Sequence, residues 1–360
     1  MKVRLEPADE FMHPGPEPTF NESMYFNLYD PDARLGGFVR IGNRPNEGHA
    51  EMTVCLYLPD GRVGFMFRRA DIDSNDRFDA GGATIDVVEP FRTDVEHAEG
   101  AGGGRIDVGY QGQVVLLEEP LDMAHPRRAF TENPYADARV QLTYEGVSRP
   151  FGGEPEERHE RPGEEFAKGH YEQLVRGTGT IAVGDSTWSV TGLGLRDHSW
   201  GPRTWQAPWY YRWLTMNFPD GTGLMLSRIA RPDSRGTRSG FVWDGRELHL
   251  VGDVTLHTEW VGDDSHHSRI HATFSTVRLG TDEITPGIER TVTGDVLNLI
   301  PLRNRRDERV TRISEGLTRW ELDRALGDDP TATVGHGLSE YLDQIVDGNP
   351  VLYLYESFRS

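Results

Sequence analysis

Trp188–Trp213 reads WSVTGLGLRDHSWGPRTWQAPWYYRW, and its first half has the pattern of a single β-strand. Side chains alternate between the two faces of a strand. Trp188, Val190, Gly192, Gly194, Arg196, His198 and Trp200 therefore share one face, and Ser189, Thr191, Leu193, Leu195, Asp197 and Ser199 the other. Gly201-Pro202 ends the strand. A second strand then sets Trp209, Tyr211 and Trp213 against Tyr210, Arg212 and Leu214. Period-two runs punctuated by Gly and Pro are the mark of an antiparallel β protein.

The same pattern continues outward in both directions. Before it lie candidate strands at Gly37–Ile41, Glu51–Leu58, Arg62–Arg68, Ala83–Glu89, Arg105–Leu117 and Ala138–Glu145. Around and after it come Leu174–Val183, Thr187–His198, Trp209–Phe218, Gly223–Ala230, Ser239–Val242, Leu248–Leu256, Ser268–Val277, Val292–Leu302, Val310–Leu322, Thr333–Tyr341 and Val351–Phe358. Asp60-Gly61, Asp220-Gly221 and Asp244-Gly245 read as hairpin turns. Helix is expected only in short pieces near Gly163–His170 and Leu338–Val346. Many short strands at this spacing build barrels or sandwiches, so the expected fold is all-β. Gly152–Glu165, GGEPEERHERPGEE, has almost nothing to bury and reads as an exposed connector. It divides the chain into an N-terminal β domain at 1–151, an acidic connector at 152–168 and a C-terminal β domain at 169–360.

The 360 residues carry a net charge of -20, with 36% hydrophobic and 27% charged residues. Nucleic acid and anionic membranes need clustered Lys and Arg, so neither is an expected partner. An uncharged or cationic small molecule suits this field better. The single cysteine, Cys55, lies in an apolar run, which excludes an intrachain disulfide and a Cys-based zinc site. MKVRLEPADEF has no apolar leader core, and no segment is apolar for the length a bilayer requires. The expected location is the cytoplasm, without stable membrane insertion.

The chemistry-bearing residues gather where the strand pattern is most aromatic. An imidazole such as His198 exchanges protons near neutral pH. Rings such as Trp200 can stabilise a developing cation. Together they suit protonation of a double bond and capture of the cation, or the reverse elimination. Arg196 and Asp197 read as structural ion pairs with neighbouring strands ahead of any catalytic role. Glu172, in His170-Tyr171-Glu172, and Glu340, in Gly335–Tyr341 (GHGLSEY), are candidate proton donors or partners of Arg196, because a carboxyl group in an apolar cup holds its proton. Trp205, Trp209, Tyr211 and Trp213 are candidate walls of a substrate pocket. A second polar cluster, His13, Asn21, Glu22, Tyr25, Asn43, Arg44, His49 and Glu51, reads mainly as interdomain hydrogen bonds and turns. His266 and His267 are adjacent and point to opposite strand faces, so no metal site is expected there. Nucleotide-binding, G-x-S-x-G and H-E-x-x-H motifs are missing from the sequence, and no cofactor is expected.

GLRDHSWGPRTW resembles the D-H-x-W-G signature of the carotenoid 1,2-hydratase/AttH-like family. HYEQ with the following GTG, and GHGLSEY, resemble that family's second domain. From LEPADEF and FNESMYF onward, the whole chain resembles a bacterial branch with paired domains of unknown function. The resemblance implies two lipocalin-like β domains in tandem, and hydration, cyclisation or pericyclic chemistry on hydrophobic isoprenoid or polyketide molecules. His198 and Trp200 match the His and Trp of the signature, and Asp197 its preceding Asp. The family's following Tyr-x-Asp has no counterpart in Gly223–Arg228, which lacks a carboxylate, so Glu340 or Glu172 would have to substitute. The expectation is a hydratase, dehydratase or cyclase in which His198 is the acid/base, Trp200 the cation-stabilising wall, and Arg196 or Asp197 a supporting group. A carrier of a hydrophobic molecule, or a structural protein glued by its aromatic cluster, is the alternative.

Overall fold

The computed structural model describes residues 3–93, 102–156, 166–230, 237–262, 264–279, 284–306, 308–346 and 349–350. The expected strand Val351–Phe358 and the middle of the acidic connector lie outside them. The chain forms two compact units, one of residues 1–119 and 127–204, the other of residues 120–126 and 205–360.

The first unit holds β1 (Val3–Arg4), β2 (Phe20–Asp30), β3 (Leu35–Arg44), β4 (His49–Tyr57), β5 (Val63–Asp71), β6 (Phe78–Ala80), β7 (Ala83–Phe91), β8 (Gly103–Leu117), β9 (Tyr135–Gly146), β10 (Phe151–Pro155), β11 (Gly169–Val183) and β12 (Ser186–Pro202). Eight of these close on themselves. The ring runs β2-β3-β4-β5-β8-β9-β11-β12 and returns to β2, with every pairing antiparallel. Closure removes unpaired edges. The inward positions form its core: Met24, Phe26 and Leu28 from β2, Val39 and Ile41 from β3, Met52 and Val54 from β4, Val140 and Leu142 from β9.

The second unit holds β13 (Tyr210–Asn217), β14 (Gly223–Ala230), β15 (Thr237–Trp243), β16 (Leu248–Val261), β17 (His266–Leu279), β18 (Ile284–Arg306), β19 (Arg309–Leu322), β20 (Val334–Val346) and β21 (Asn349–Pro350). They pair in sequence order, and β20 returns to β13, which closes a second eight-stranded barrel. Leu214, Met216, Leu224, Leu226, Val254, Ile270, Phe274 and Trp320 fill it. Two antiparallel all-β barrels are thus the observed architecture.

Three expectations change. The division falls after Thr204, not within 152–168, because β11 and β12 pair with β9 and β2. These two strands complete the first barrel, so their ladder bonds hold them there whatever the composition between 152 and 168. Phe151–Pro155, the connector's start, is itself a strand paired with β11. Leu338–Val346 lies within β20 and Gly169-His170 open β11, not helices, and among the described residues the α-helix is at Pro126–Glu132. The strand Phe20–Asp30 escaped the sequence reading because Glu22 occupies an inward position where period two calls for an apolar residue.

Candidate functional site

β12 lies between β11 and β2, and its register fixes who meets whom. His198 is opposite Tyr171 on β11 and Met24 on β2. Arg196 is opposite Gln173 and Phe26, and Trp200 is opposite Glu22. Directly paired residues point to the same side, so Arg196, His198, Trp200, Tyr171, Gln173 and Glu22 all face the first unit's interior. Gly194 makes the close approach of β2 possible. A Cβ there would sit 1.8 Å from the Asn27 carbonyl oxygen. The space left by the glycine is filled by the neighbouring strand, and the Asn27 Oδ1 accepts a hydrogen bond from the Leu195 amide at 2.9 Å.

His198 and Glu22 are both 0% exposed, and His198 Nε2 lies 2.6 Å from Glu22 Oε1. The same oxygen is 3.0 Å from His13 Nδ1, while Glu22 Oε2 accepts the His13 backbone amide at 2.9 Å. One carboxylate thus sits between two imidazoles. Burial pushes the Glu22 carboxyl upward, but its bonds to His13 and His198 and the charge those rings can carry outweigh this, and its pKa falls below the usual value. His13 stacks on Trp200 with ring centroids 3.9 Å apart and planes 4° from parallel. Phe78, Tyr171 and Trp200 present their rings edge-on around His198, at 6.0, 5.6 and 5.4 Å. Among the described residues, His198 Nδ1 is buried without a hydrogen-bond partner. A proton on Nε2, shared with Glu22, leaves the lone pair on Nδ1, so the carboxylate orients the ring and fixes its tautomer.

The His13 side chain is supplied by the segment before β2. Asn75 donates to its carbonyl oxygen, and Asn43 donates to Asn75. Three residues earlier, Glu10 closes a second buried cluster. Its Oε1 accepts Arg196 Nη1 at 2.5 Å and the Tyr171 hydroxyl at 2.6 Å, and its Oε2 accepts Arg196 Nη2 at 2.9 Å. Gln173 Oε1 takes Arg196 Nε and Nη2. Burial raises the Glu10 pKa, and the Arg196 guanidinium and the Tyr171 hydroxyl bring it below the ordinary carboxylate value. Burial and the Glu10 charge move the Tyr171 hydroxyl well above its own.

The residues expected from the sequence separate into groups. Arg196, His198 and Trp200 share the interior. Asp197 points to the opposite face, where it bonds His170 Nε2 at 2.8 Å. Glu172 is opposite Asp197 in register and 3.7 Å from His170. It is not the partner of Arg196; Glu10 is. Glu340, on β20, lies in register with Glu315 and Trp213 in the second unit. Trp205, Trp209, Tyr211 and Trp213 belong to that unit as well. Trp213 and Tyr211 alternate with the inward Leu214 and Met216, so they point away from that barrel's core. One face of Trp200 is taken by His13, which limits its use as a wall for a substrate cation.

Glu10 had no signal of its own in the sequence. Glu22 did carry one, as a polar residue where a sheet should alternate, and His13 stood in the same polar cluster. Their link to His198 spans 176 residues for Glu22, a pairing that only the closed ring of strands creates. His266 and His267 do not converge; His267 Nε2 bonds the Ser339 side chain. The expected absence of a metal site at those two histidines has no bearing on His13, Glu22 and His198, whose ligand atoms all lie within 4.8 Å of one another.

A family model described as a domain of unknown function, DUF7064, matches residues 6–345. The chain belongs to the DUF7064 family. No curated protein matches the sequence. Among solved structures, it is similar to a candidate AttH from Nitrosomonas europaea, at 15% identity over 97% of this chain and 98% of that one, with a TM-score of 0.54. Matches with lower scores include CghA with Sch210972, at 12% identity over 90% and 88% of the chains and a TM-score of 0.49. Kievitone hydratase from Nectria haematococca is 8% identical over 95% of both chains, also with a TM-score of 0.49. The first match shows a shared fold, and a shared fold does not fix an activity.

Proposed function

We propose that the chain is an enzyme that acts by acid/base catalysis on a hydrophobic small molecule, adding or removing water or closing a ring. The observation that carries this reading is the 2.6 Å contact between two fully buried groups, His198 Nε2 and Glu22 Oε1. Burying a carboxylate is costly unless it is paired, and here it is spent on holding an imidazole whose second nitrogen has no partner among the described residues. In this reading His198 Nδ1 exchanges the proton with substrate. Glu22 is the positioning residue that sets the tautomer and stabilises the imidazolium. Rings around the pair exclude water and suit an apolar, isoprenoid- or polyketide-like substrate. Arg196 and Glu10 tie β11 and β12 to the segment before β2 and take no part in proton transfer.

The candidate AttH supports the architecture alone. A carrier of a hydrophobic molecule would need the same apolar lining without an ionisable pair at its centre, so the dyad favours the enzyme.

The test is incubation of the protein with a library of terpenoid and polyketide alkenes and alcohols in 18O-labelled water and in deuterated water, read by mass spectrometry. The wild type should transfer solvent label or form an isomer. Glu22→Gln should lower kcat by about 10²–10⁴-fold, the usual worth of a general acid/base, and His198→Ala should abolish turnover while near-ultraviolet circular dichroism stays native. Turnover that survives His198→Ala rejects the assignment. Ligand retention without label exchange by the wild type establishes the carrier instead.

A further inference from the structure

We propose that His13, Glu22 and His198 form a binding site for one first-row divalent transition-metal ion of the Zn2+ or Fe2+ class. This goes beyond the proton-transfer reading but shares its atoms: an ion would take the place of the hydrogen bond between His198 Nε2 and Glu22 Oε1 and leave Nδ1 outside the coordination sphere.

The first argument is charge. Asp9, Glu10 and Glu22 are buried, and Arg196 is the guanidinium buried with them. Three carboxylates against one cation leave a net charge of minus two while the imidazoles are neutral. Buried charges are paired or coordinate metals. The two rings have centroids 5.7 Å apart, and Phe78, Tyr171 and Trp200 surround His198. A single dication between the rings would balance the charge.

The second argument is geometry. All ligand atoms lie within 4.8 Å of one another. An ion bonded to nitrogen and oxygen at ~2.1 Å holds neighbouring ligand atoms ~3.0–3.4 Å apart. The observed separations are 3.0 Å for His13 Nδ1 and 2.6 Å for His198 Nε2, both to Glu22 Oε1. The His198 ring would withdraw by less than about 1 Å to admit the ion. The third argument is the surroundings of the ligands. His13 Nε2, the nitrogen turned away from Glu22, lies 3.5 Å from Asp9 Oδ1, and ligating histidines commonly hand their other N–H to a carboxylate. Two imidazoles and one carboxylate select zinc or ferrous iron over magnesium or calcium, which prefer all-oxygen sets. Coordination at Nε2 leaves the ring proton on Nδ1.

The experiment uses the whole chain, stripped with chelator and then dialysed against Zn2+, or against Co2+ as a spectroscopic probe. The expected result is about one ion per chain and a visible Co2+ absorption band, with affinity falling by at least ~10-fold in His13→Gln and in Glu22→Gln. The exposed His257 is the control, and His257→Gln should bind as the wild type does. Should Glu22→Gln fail to fold, His13→Gln decides, because its side chain comes from a segment outside the strands. Stoichiometry below ~0.1, or equal uptake by wild type and His13→Gln, overturns the site. Neither readout depends on turnover, so the catalytic reading can fail while the metal site stands, or the reverse.

Discussion

Glu10→Ala should be among the most destabilising single changes in the first unit. Glu10 receives Arg196 Nη1 at 2.5 Å, Arg196 Nη2 at 2.9 Å, the Tyr171 hydroxyl at 2.6 Å and the Phe91 amide at 3.2 Å. Truncation strands a guanidinium with 2% of its side chain exposed, leaving it the Gln173 and Tyr171 oxygens. Breaking a buried pair by removing one partner costs about 3–5 kcal/mol, most of it the uncompensated charge. With a urea m-value of about 3 kcal/mol/M, the midpoint of the transition should fall by about 1 M or more. The decisive measurement is a double-mutant cycle by urea denaturation, followed by near-ultraviolet circular dichroism. Glu10→Leu with Arg196→Met replaces both charges by apolar groups and should recover most of the loss. The depressed Glu10 pKa adds a pH signature. Its stabilisation is complete above the ordinary carboxylate pKa and disappears as pH falls through the lowered one. A Glu10→Ala cost below about 1 kcal/mol, or a double variant no more stable than the worse single one, would refute the pairing.

Gly194→Ala places a methyl group 1.8 Å from the Asn27 carbonyl oxygen, and should destabilise by about 1–3 kcal/mol or more; a thermal midpoint within error of wild type contradicts the strand approach. Burial pushes the Glu315 carboxyl up to about 8, so the unfolded chain ionises first and stability declines as pH rises from the ordinary carboxylate range toward that value. Glu315→Gln should remove the slope and stabilise at pH 7 by roughly 3 kcal/mol, and a wild-type stability that is flat across this interval would be inconsistent with a buried neutral acid. Burial lowers the His170 pKa, but the bond to Asp197 raises it further and the net is upward. Its contribution is present below the ordinary histidine pKa and lost as pH rises through the raised one. In an NMR titration Asp197→Asn should bring the His170 pKa down, and an unmoved titration would show that the contact is not made in solution.

The strand alternation of Trp188–Trp200 was legible because a period of two needs no knowledge of the rest of the chain. It placed Arg196 and His198 on one face and Asp197 on the other, as β12 has them. Phe20–Asp30 was not legible as a strand, since Glu22 interrupts its apolar face. That interruption was the signal of the site. A buried carboxylate breaks the pattern by which strands are recognised, and its compensation, His198, is 176 residues away. The domain boundary was misread for a related reason. Composition shows where a chain is exposed, but which barrel a strand completes depends on its hydrogen-bonded neighbours.

By itself, the sequence determined the all-β class, the hairpin positions and the side of its strand on which each candidate residue lies, because these follow from local periodicity and turn chemistry. Only the tertiary structure decided that Glu22 meets His198, that Glu10 meets Arg196, that Glu172 lies on the other face of its strand, and that Glu340 and the later tryptophans belong to the second unit. Those pairings depend on how the first barrel closes, and ring closure is a property of eight strands at once, to which no single stretch of residues holds the key.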